Sequence, residues 1–557
     1  YARCSLMYRY NKLAHLSSMA KMQMLLQRLF SALHGIRAPI SNQVRATHPC
    51  MREKLAAGRS LVLDVDAGLL LPSSSFPFPY FMLVALEAGG YLRGLVLLLL
   101  YPIILCMGGN SDVAVRFMAM TAFCGLRRSQ FLAGCAVLPK WLMEDVAAEG
   151  FETMRMSGAA GGRRVCVTRK LPRVVIEGFL REYLDAEAVV GKEMKVLWGF
   201  YTGLLEEGDE GMLDEQQKIM LDGDDAVGFS GSLEFLQHSL ARSCKNVYLE
   251  TRVDRATWQA LPRNQYPKAM VFHDGRLAFR PTAGSTLAMF MWLPFGVALG
   301  AARLAVALTM PYRYSTLILA ATGMSWRLKG GELPTLLGAD GERRRRHGQL
   351  YVCNHRTLID PVYVSVALDR PVRAVSYSLS RLSDLISPIG RTVRLARDRV
   401  VDGRTMTRLL DRGDHVVVCP EGTTCREPYL LRELSDDVVP VGIAVETAMF
   451  YATTAGGLKF LDPLYYLANP RMCYTVQFLE RVSTSAVREG KVSSADMANL
   501  VQRRIGDALG YSCTMLNRKD KYLMLASNDG VVHKADGKCS SSTPVRCARV
   551  ASAESAM

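Results

Sequence analysis

A histidine and an aspartate five residues apart, His355 and Asp360, close an apolar run, Leu350-Tyr-Val-Cys-Asn-His-Arg-Thr-Leu-Ile-Asp-Pro361. A carboxylate that fixes an imidazole tautomer and stabilises the imidazolium makes the ring a general base for a substrate hydroxyl. On a regular helix five positions set two side chains about 140° apart, so a turn must bring this pair together. Asn354 suits such a turn, and Pro361 biases Asp360 away from helical backbone angles.

Three further segments give the pair a context. Gly390-Arg-Thr-Val-Arg-Leu-Ala-Arg397 carries Arg391, Arg394 and Arg397, whose forks suit a phosphate. On a strand Arg391 and Arg397 share one face and Arg394 takes the other, so one ligand meets all three only if the strand ends early. Val416-Val-Val-Cys419 reads as a strand running into Pro420-Glu-Gly-Thr-Thr-Cys-Arg426. There Glu421, Gly422 and Thr423 offer an acid, backbone N–H groups and a hydroxyl to a polyol or an anion. Val438-Val-Pro-Val-Gly-Ile443 is an apolar strand able to wall an acyl channel.

Together the four segments resemble the H-x-x-x-x-D, arginine, P-E-G-T and V-P-V blocks of the glycerolipid acyltransferases. The wording N-H-R-T-L-I-D-P and C-P-E-G-T-T-C-R-E-P-Y-L-L-R is similar to the land-plant glycerol-3-phosphate acyltransferases of cutin and suberin synthesis, the sn-2 type. The similarity runs from about residue 59 to 515. It implies that His355 is the base and Asp360 orients it. It also implies that Arg394 and Arg397, with Arg391, meet the phosphate, and that Glu421, Gly422 and Thr423 shape the glycerol site. The expected substrates are acyl-CoA and glycerol 3-phosphate, and the product is lysophosphatidic acid. No metal or cofactor is expected, because a thioester is already activated. Glu433 departs from the family's Phe, which puts the local packing in doubt. The rival readings are a lysophospholipid acyltransferase and a catalytically silent membrane scaffold.

In the resembling family the N-terminal half is a haloacid-dehalogenase-like (HAD-like) phosphatase, with D-x-D at a strand end. Asp64-Val-Asp66 has that spacing, although Ala67-Gly68 replaces the family's Gly-Thr, and Thr168 would be the phosphate-binding hydroxyl. The late acidic cluster that holds Mg²⁺ is expected at Val227-Gly-Phe-Ser-Gly-Ser-Leu233, which has no carboxylate; Asp222, Asp224 and Asp225 lie just before it. The expectation is a vestigial phosphatase. Mg²⁺ and a monoacylglycerol product would follow only from an active one.

The elements that must position these residues are α/β. Leu61–Leu71 reads as a buried strand ending in a carboxylate-bearing loop, and Arg163–Val190 as strand, helix, strand, which implies a parallel sheet. The expected organisation is a basic arm or targeting segment at 1–58 and a HAD-like domain at 59–255 with a membrane-embedded insertion at 79–107. Transmembrane or re-entrant helices follow at 285–324, an acyltransferase domain at 325–516 and a disordered tail at 535–557. Tyr80–Met107 is long enough to span a bilayer, though Glu87 and Arg93 interrupt it, so a hairpin dipping into one leaflet is as much expected as a full span. Pro294 predicts a kink in the second apolar zone, and the cluster Arg343–Arg346 suits a cytosolic membrane face. An endoplasmic reticulum membrane is expected, with a mitochondrial one as the alternative.

At 557 residues the chain exceeds one ordinary core, and 49% hydrophobic with 22% charged residues excludes wholesale disorder. The net charge of +16 calls for anionic partners. Nothing resembles a zinc finger, an RRM core or a homeodomain, so phosphorylated substrates and membrane lipids are expected rather than nucleic acid. The 14 cysteines contain no C-x-x-C pair and read as thiols in a reducing compartment.

Overall fold

The structure is a computed structural model. It describes residues 48–74, 76–128, 131, 137–206, 226–310, 312–329, 348–376, 392–395, 398–421, 429–430, 438–454, 461–483, 489, 491, 493–516, 520–521 and 525. The basic arm up to residue 47, the tail, Asp222, Asp224, Asp225 and Arg343–Arg346 lie outside the described residues.

The N-terminal region is built on a five-stranded sheet, all parallel, in the order β3-β2-β1-β6-β7. Its strands are β1 (Leu61–Asp64), β2 (Arg164–Val167), β3 (Ala188–Val190), β6 (Val227–Ser230) and β7 (Asn246–Leu249). Leu61, Val62 and Leu63 are fully enclosed, as an unbroken apolar run must be in a sheet covered on both faces. The Arg173–Leu184 helix crosses between β2 and β3, and Pro172 stands just before its first turn.

The apolar stretch after β1 is not one span. It breaks into helices Phe78–Glu87, Tyr91–Leu99 and Tyr101–Cys106. Two glycines and an ionic residue interrupt it: Gly90 takes a positive φ of 89°, and the Glu87 carboxylate accepts the backbone N–H groups of Arg276 (2.7 Å) and Leu277 (2.9 Å). Phe78–Glu87 lies in the domain core, whereas Leu92, Leu99 and Ile103 are exposed. An antiparallel hairpin, β4 (Glu193–Leu197) and β5 (Phe200–Glu206), packs on the neighbouring helix Asp112–Phe123.

A 27-residue helix, Ala283–Thr309, follows and contains Pro294. It is long and apolar enough to cross a membrane. Met289 joins the N-terminal core, while buried Arg303 reaches the C-terminal region. Its guanidinium donates to Leu467 O (2.5 Å), Asn469 O (2.7 Å) and Thr322 Oγ1 (3.0 Å), and also to Thr322 O. These carbonyls close the ends of helices Asp462–Leu467 and Tyr312–Ala321, where unpaired carbonyls and the helix dipole both favour a cation.

The C-terminal region carries a seven-stranded mixed sheet, β11-β10-β12-β9-β14-β15-β8. In chain order the strands are β8 (Met324–Lys329), β9 (Leu350–Cys353), β10 (Val372–Ser376), β11 (Val393–Arg394), β12 (His415–Val418), β14 (Val438–Thr447) and β15 (Met472–Phe478). Only the β14–β15 pair is antiparallel. The short strands β13 (Tyr429–Leu430) and β16 (Ser512–Cys513) pair apart from it.

Candidate active site

Central β9 ends at Cys353, and its carboxyl end opens beside that of β12 and against Val441 within the longer β14, on the edge at which open α/β sheets bind ligands. Asn354 continues the ladder with its side chain. Its Nδ2 donates to Ile443 O (2.9 Å), and Ile443 N–H donates to its Oδ1 (2.7 Å). Asn354 therefore clamps β9 to β14 and does not form the turn that its type suggested.

Asp360 builds that turn. It is the first residue of helix Asp360–Leu368, so Pro361 sits in the first turn, where a missing N–H costs nothing. The expectation that Pro361 keeps Asp360 out of the helix is thereby corrected. Asp360 Oδ2 accepts Arg356 N–H (2.7 Å) and Thr357 N–H (3.0 Å), and Oδ1 accepts the Thr357 hydroxyl (2.9 Å) and that of Tyr474 on β15. These bonds fold the loop back and bring His355 Nδ1 to 3.0 Å from Asp360 Oδ2. Asp360 is fully buried, while 17% of the His355 side chain remains exposed.

Glu421, one turn beyond β12, accepts the backbone N–H of His355 through Oε2 at 3.1 Å. It is buried and holds the base in place. Cys419 lies against the imidazole, and its Sγ is 3.3 Å from Cys353 Sγ. Burial opposes a charged imidazole, but the Cys419 sulfur and Asp360 more than offset it, so the His355 pKa stands well above 6.5. The hydrogen bond with Cys353, together with burial, raises the Cys419 thiol well above 9.0.

Arg394 is described, exposed, on the edge strand β11. Three strand spacings, about 14 Å, separate that strand from β9. Arg391, Arg397, Gly422 and Thr423 lie outside the described residues. Sequence reasoning missed Tyr474, Cys353 and Cys419. The two cysteines had a signal, since each stands at the end of an apolar run, one before Asn354-His355 and the other before Pro420-Glu421. Tyr474 had none.

The N-terminal sheet gathers a second polar cluster. Asp64 ends β1, and Ser230 ends the neighbouring β6 and donates to Asp64 Oδ2 at 2.6 Å. Arg169 Nη2 donates to the same oxygen at 3.0 Å, and its Nη1 donates to Glu234 at 2.8 Å. Asp66 Oδ2 accepts the backbone N–H groups of Arg169 (2.7 Å) and Lys170 (3.1 Å). Thr168 donates to Leu171 O at 2.9 Å, which pins a turn. Burial raises the Asp64 pKa to about 6, and Arg169 only partly offsets this. The Mg²⁺ of HAD-like phosphatases needs carboxylates here. From the end of β6 a hydroxyl, Ser230, and not a carboxylate faces Asp64, Glu234 lies four residues on, and a guanidinium already bridges Asp64 to Glu234. These residues do not fit the ion.

Residues 60–250 match the family described as glycerol-3-phosphate acyltransferase RAM2-like, HAD-like domain, and residues 339–450 match the acyltransferase family. Glycerol-3-phosphate acyltransferase 1 of Arabidopsis thaliana is 40% identical over 84% of this chain and 81% of its own length. The chain belongs to the glycerol-3-phosphate acyltransferase family. "Probable glycerol-3-phosphate acyltransferase 3" of Arabidopsis thaliana is 47% identical over 85% of this chain and 91% of that protein. Glycerol-3-phosphate acyltransferase RAM2 of Petunia hybrida is 38% identical over 85% of this chain and 98% of that protein. In this chain the Asp64 cluster lies in the region matched to the HAD-like domain and the His355–Asp360 pair in the region matched to the acyltransferase family.

Proposed function

We propose that this protein transfers an acyl group from acyl-CoA to a hydroxyl of glycerol 3-phosphate, giving lysophosphatidic acid. The observation that carries the reading is the His355–Asp360 pair at the carboxyl end of β9, with Glu421 holding the backbone of His355. The neutral imidazole takes the hydroxyl proton as the glycerol oxygen attacks the thioester carbonyl. As the C–S bond breaks, the imidazolium returns that proton to the departing thiolate. Asp360 stabilises the imidazolium between the two transfers. No metal or cofactor takes part in these steps. Arg394 meets the phosphate, joined by Arg391 and Arg397 from the same segment, while Gly422 and Thr423 border the glycerol. The relatives' names support glycerol 3-phosphate over a lysophospholipid as the acceptor. Assays of purified protein with glycerol 3-phosphate and with lysophosphatidate test this, with products identified by mass spectrometry. Acylation of lysophosphatidate alone would overturn it.

The helix Ala283–Thr309 anchors the protein in the endoplasmic reticulum membrane, where the acyl donor partitions. Exposed Leu287, Met291, Phe295 and Val297 support this. The product then feeds glycerolipid synthesis of the cutin or suberin type. A bifunctional enzyme that releases phosphate is the second reading, and the ion pair of Arg169 with Asp64 weighs against it.

A further inference from the structure

Cys353 and Cys419 take no part in the acyl transfer derived above, yet the Cys419 sulfur lies beside its base and the Cys353 sulfur lies against that of Cys419. Cys353 ends β9, and Cys419 is the next residue after β12. Because Val352 pairs with Val418, the two cysteines are neighbours across adjacent strands. Their sulfurs are 3.3 Å apart. One donor atom each from Cys419, His355 and Asp360 lie within 4.8 Å of one another. In a tetrahedral zinc site, bonds of about 2.3 Å to sulfur and about 2.0–2.2 Å to nitrogen or oxygen give donor–donor edges of about 3.3–3.8 Å. The sulfur–sulfur contact and the 3.0 Å His355–Asp360 contact are therefore close to the edges of such a site. Two thiols, an imidazole and a carboxylate form a borderline-soft set that suits zinc and disfavours magnesium or calcium.

We propose that Cys419, His355 and Asp360 form an inhibitory site for a thiophilic divalent cation such as zinc, with Cys353, whose sulfur touches Cys419, turning in as the fourth donor when the ion binds. The donors stand on strand ends and a helix start, so little of the chain must reorganise. Cys419 and His355 are both partly open to solvent, which gives the ion its entry. Asp360 stays anchored by the N–H groups of Arg356 and Thr357 while an oxygen turns to the metal. The thiols release their protons as the ion binds, no electrons are exchanged, and affinity rises with pH. With the ion on Nδ1, the ring proton is held on Nε2, which then has no lone pair to take the glycerol proton, so acyl transfer stops. This consequence rests on the role proposed for His355, whereas binding of the ion does not.

The test uses the full-length purified protein. Cobalt(II) titration should give thiolate-to-cobalt absorption at one ion per chain, and zinc should displace it. Zinc should inhibit acyl transfer, and a chelator should restore it. Cys419→Ala should weaken cobalt and zinc binding at least tenfold, with inhibition scored against that variant's own zinc-free rate; Cys513→Ala should leave binding unchanged. A measurement without variants is alkylation of Cys419 by N-ethylmaleimide, followed by peptide mass spectrometry, which zinc should slow. Absence of thiolate absorption, or alkylation indifferent to zinc, overturns the site. Zinc binding through Cys419 without loss of activity would keep the site and overturn the role of His355.

Discussion

At His355 the ring must shed its own proton before it can take one from glycerol. Its pKa stands above 6.5, so the fraction in the base form grows as pH rises through a value higher than that of free histidine. The acid limb of kcat/KM should therefore lie above pH 6.5, and a profile flat down to pH 6 would remove His355 as the base. Asp360→Asn deletes one of the contacts that raise this pKa. It should move the limb to lower pH while the plateau falls, since the imidazolium loses its partner. His355→Ala should lower kcat by about 10²–10⁴-fold with little change in binding, the usual weight of a general base. Wild-type turnover in folded His355→Ala protein would end the mechanism. Arg394→Ala should raise the KM for glycerol 3-phosphate by about 10- to 150-fold, the worth of one charge-assisted contact, and spare that for acyl-CoA. The dyad was legible because it closes an apolar run and because the segments at Arg391–Arg397, Glu421–Thr423 and Val438–Ile443 give it a context; alone, the spacing says little. Tyr474 was not, since a hydroxyl 114 residues away reaches Asp360 only through the sheet order.

Among the elements, the long helix depends on one side chain. Arg303 lies 1% exposed and satisfies carbonyls at the ends of two other helices. Arg303→Met keeps much of the volume and deletes every donor. Each buried acceptor left unpaired costs about 1–3 kcal/mol. Chemical denaturation in detergent should show a clear loss of stability, and an unchanged midpoint would mean that water replaces the guanidinium. Hydropathy located this helix but gave its lone charge, Arg303, no role, because a sequence does not show which carbonyls will lack partners. The same limit applied to Tyr80–Met107. Length and apolarity suggested a span, but the burial of Phe78–Glu87 depends on β1, on the Asp112–Phe123 helix and on Glu87 capping the N–H groups of Arg276 and Leu277. Parallel strands were readable from β1 through β3 because each is an apolar run bounded by a turn. The hairpin of β4 and β5 was not, since exposed residues such as Leu197 and Trp198 break its alternation.

On the scale of the molecule, the product should keep its phosphate. Asp64 has its charge met by Arg169, so Asp64→Asn should leave lysophosphatidic acid as the main product, in the same amount relative to monoacylglycerol. Mg²⁺-dependent monoacylglycerol that Asp64→Asn abolishes, with acyl transfer intact, would show a working phosphatase. The two regions also share a core. Phe450, from the acyltransferase region, is fully enclosed within the N-terminal cluster, and Leu277 bridges to it across the chain. Arg276 pairs with Asp462, and Lys140 donates to the Tyr451 hydroxyl at 2.6 Å. Evolution can abandon a reaction one side chain at a time, but it cannot excise a domain whose removal strips an aromatic ring of its surroundings. The acyltransferase region is in this sense a tenant of the N-terminal half: a truncation that begins after Gly275 should yield insoluble protein, whatever happens to the chemistry at Asp64. If Asp64→Asn leaves the product unchanged, the N-terminal half is kept for its packing and not for its chemistry.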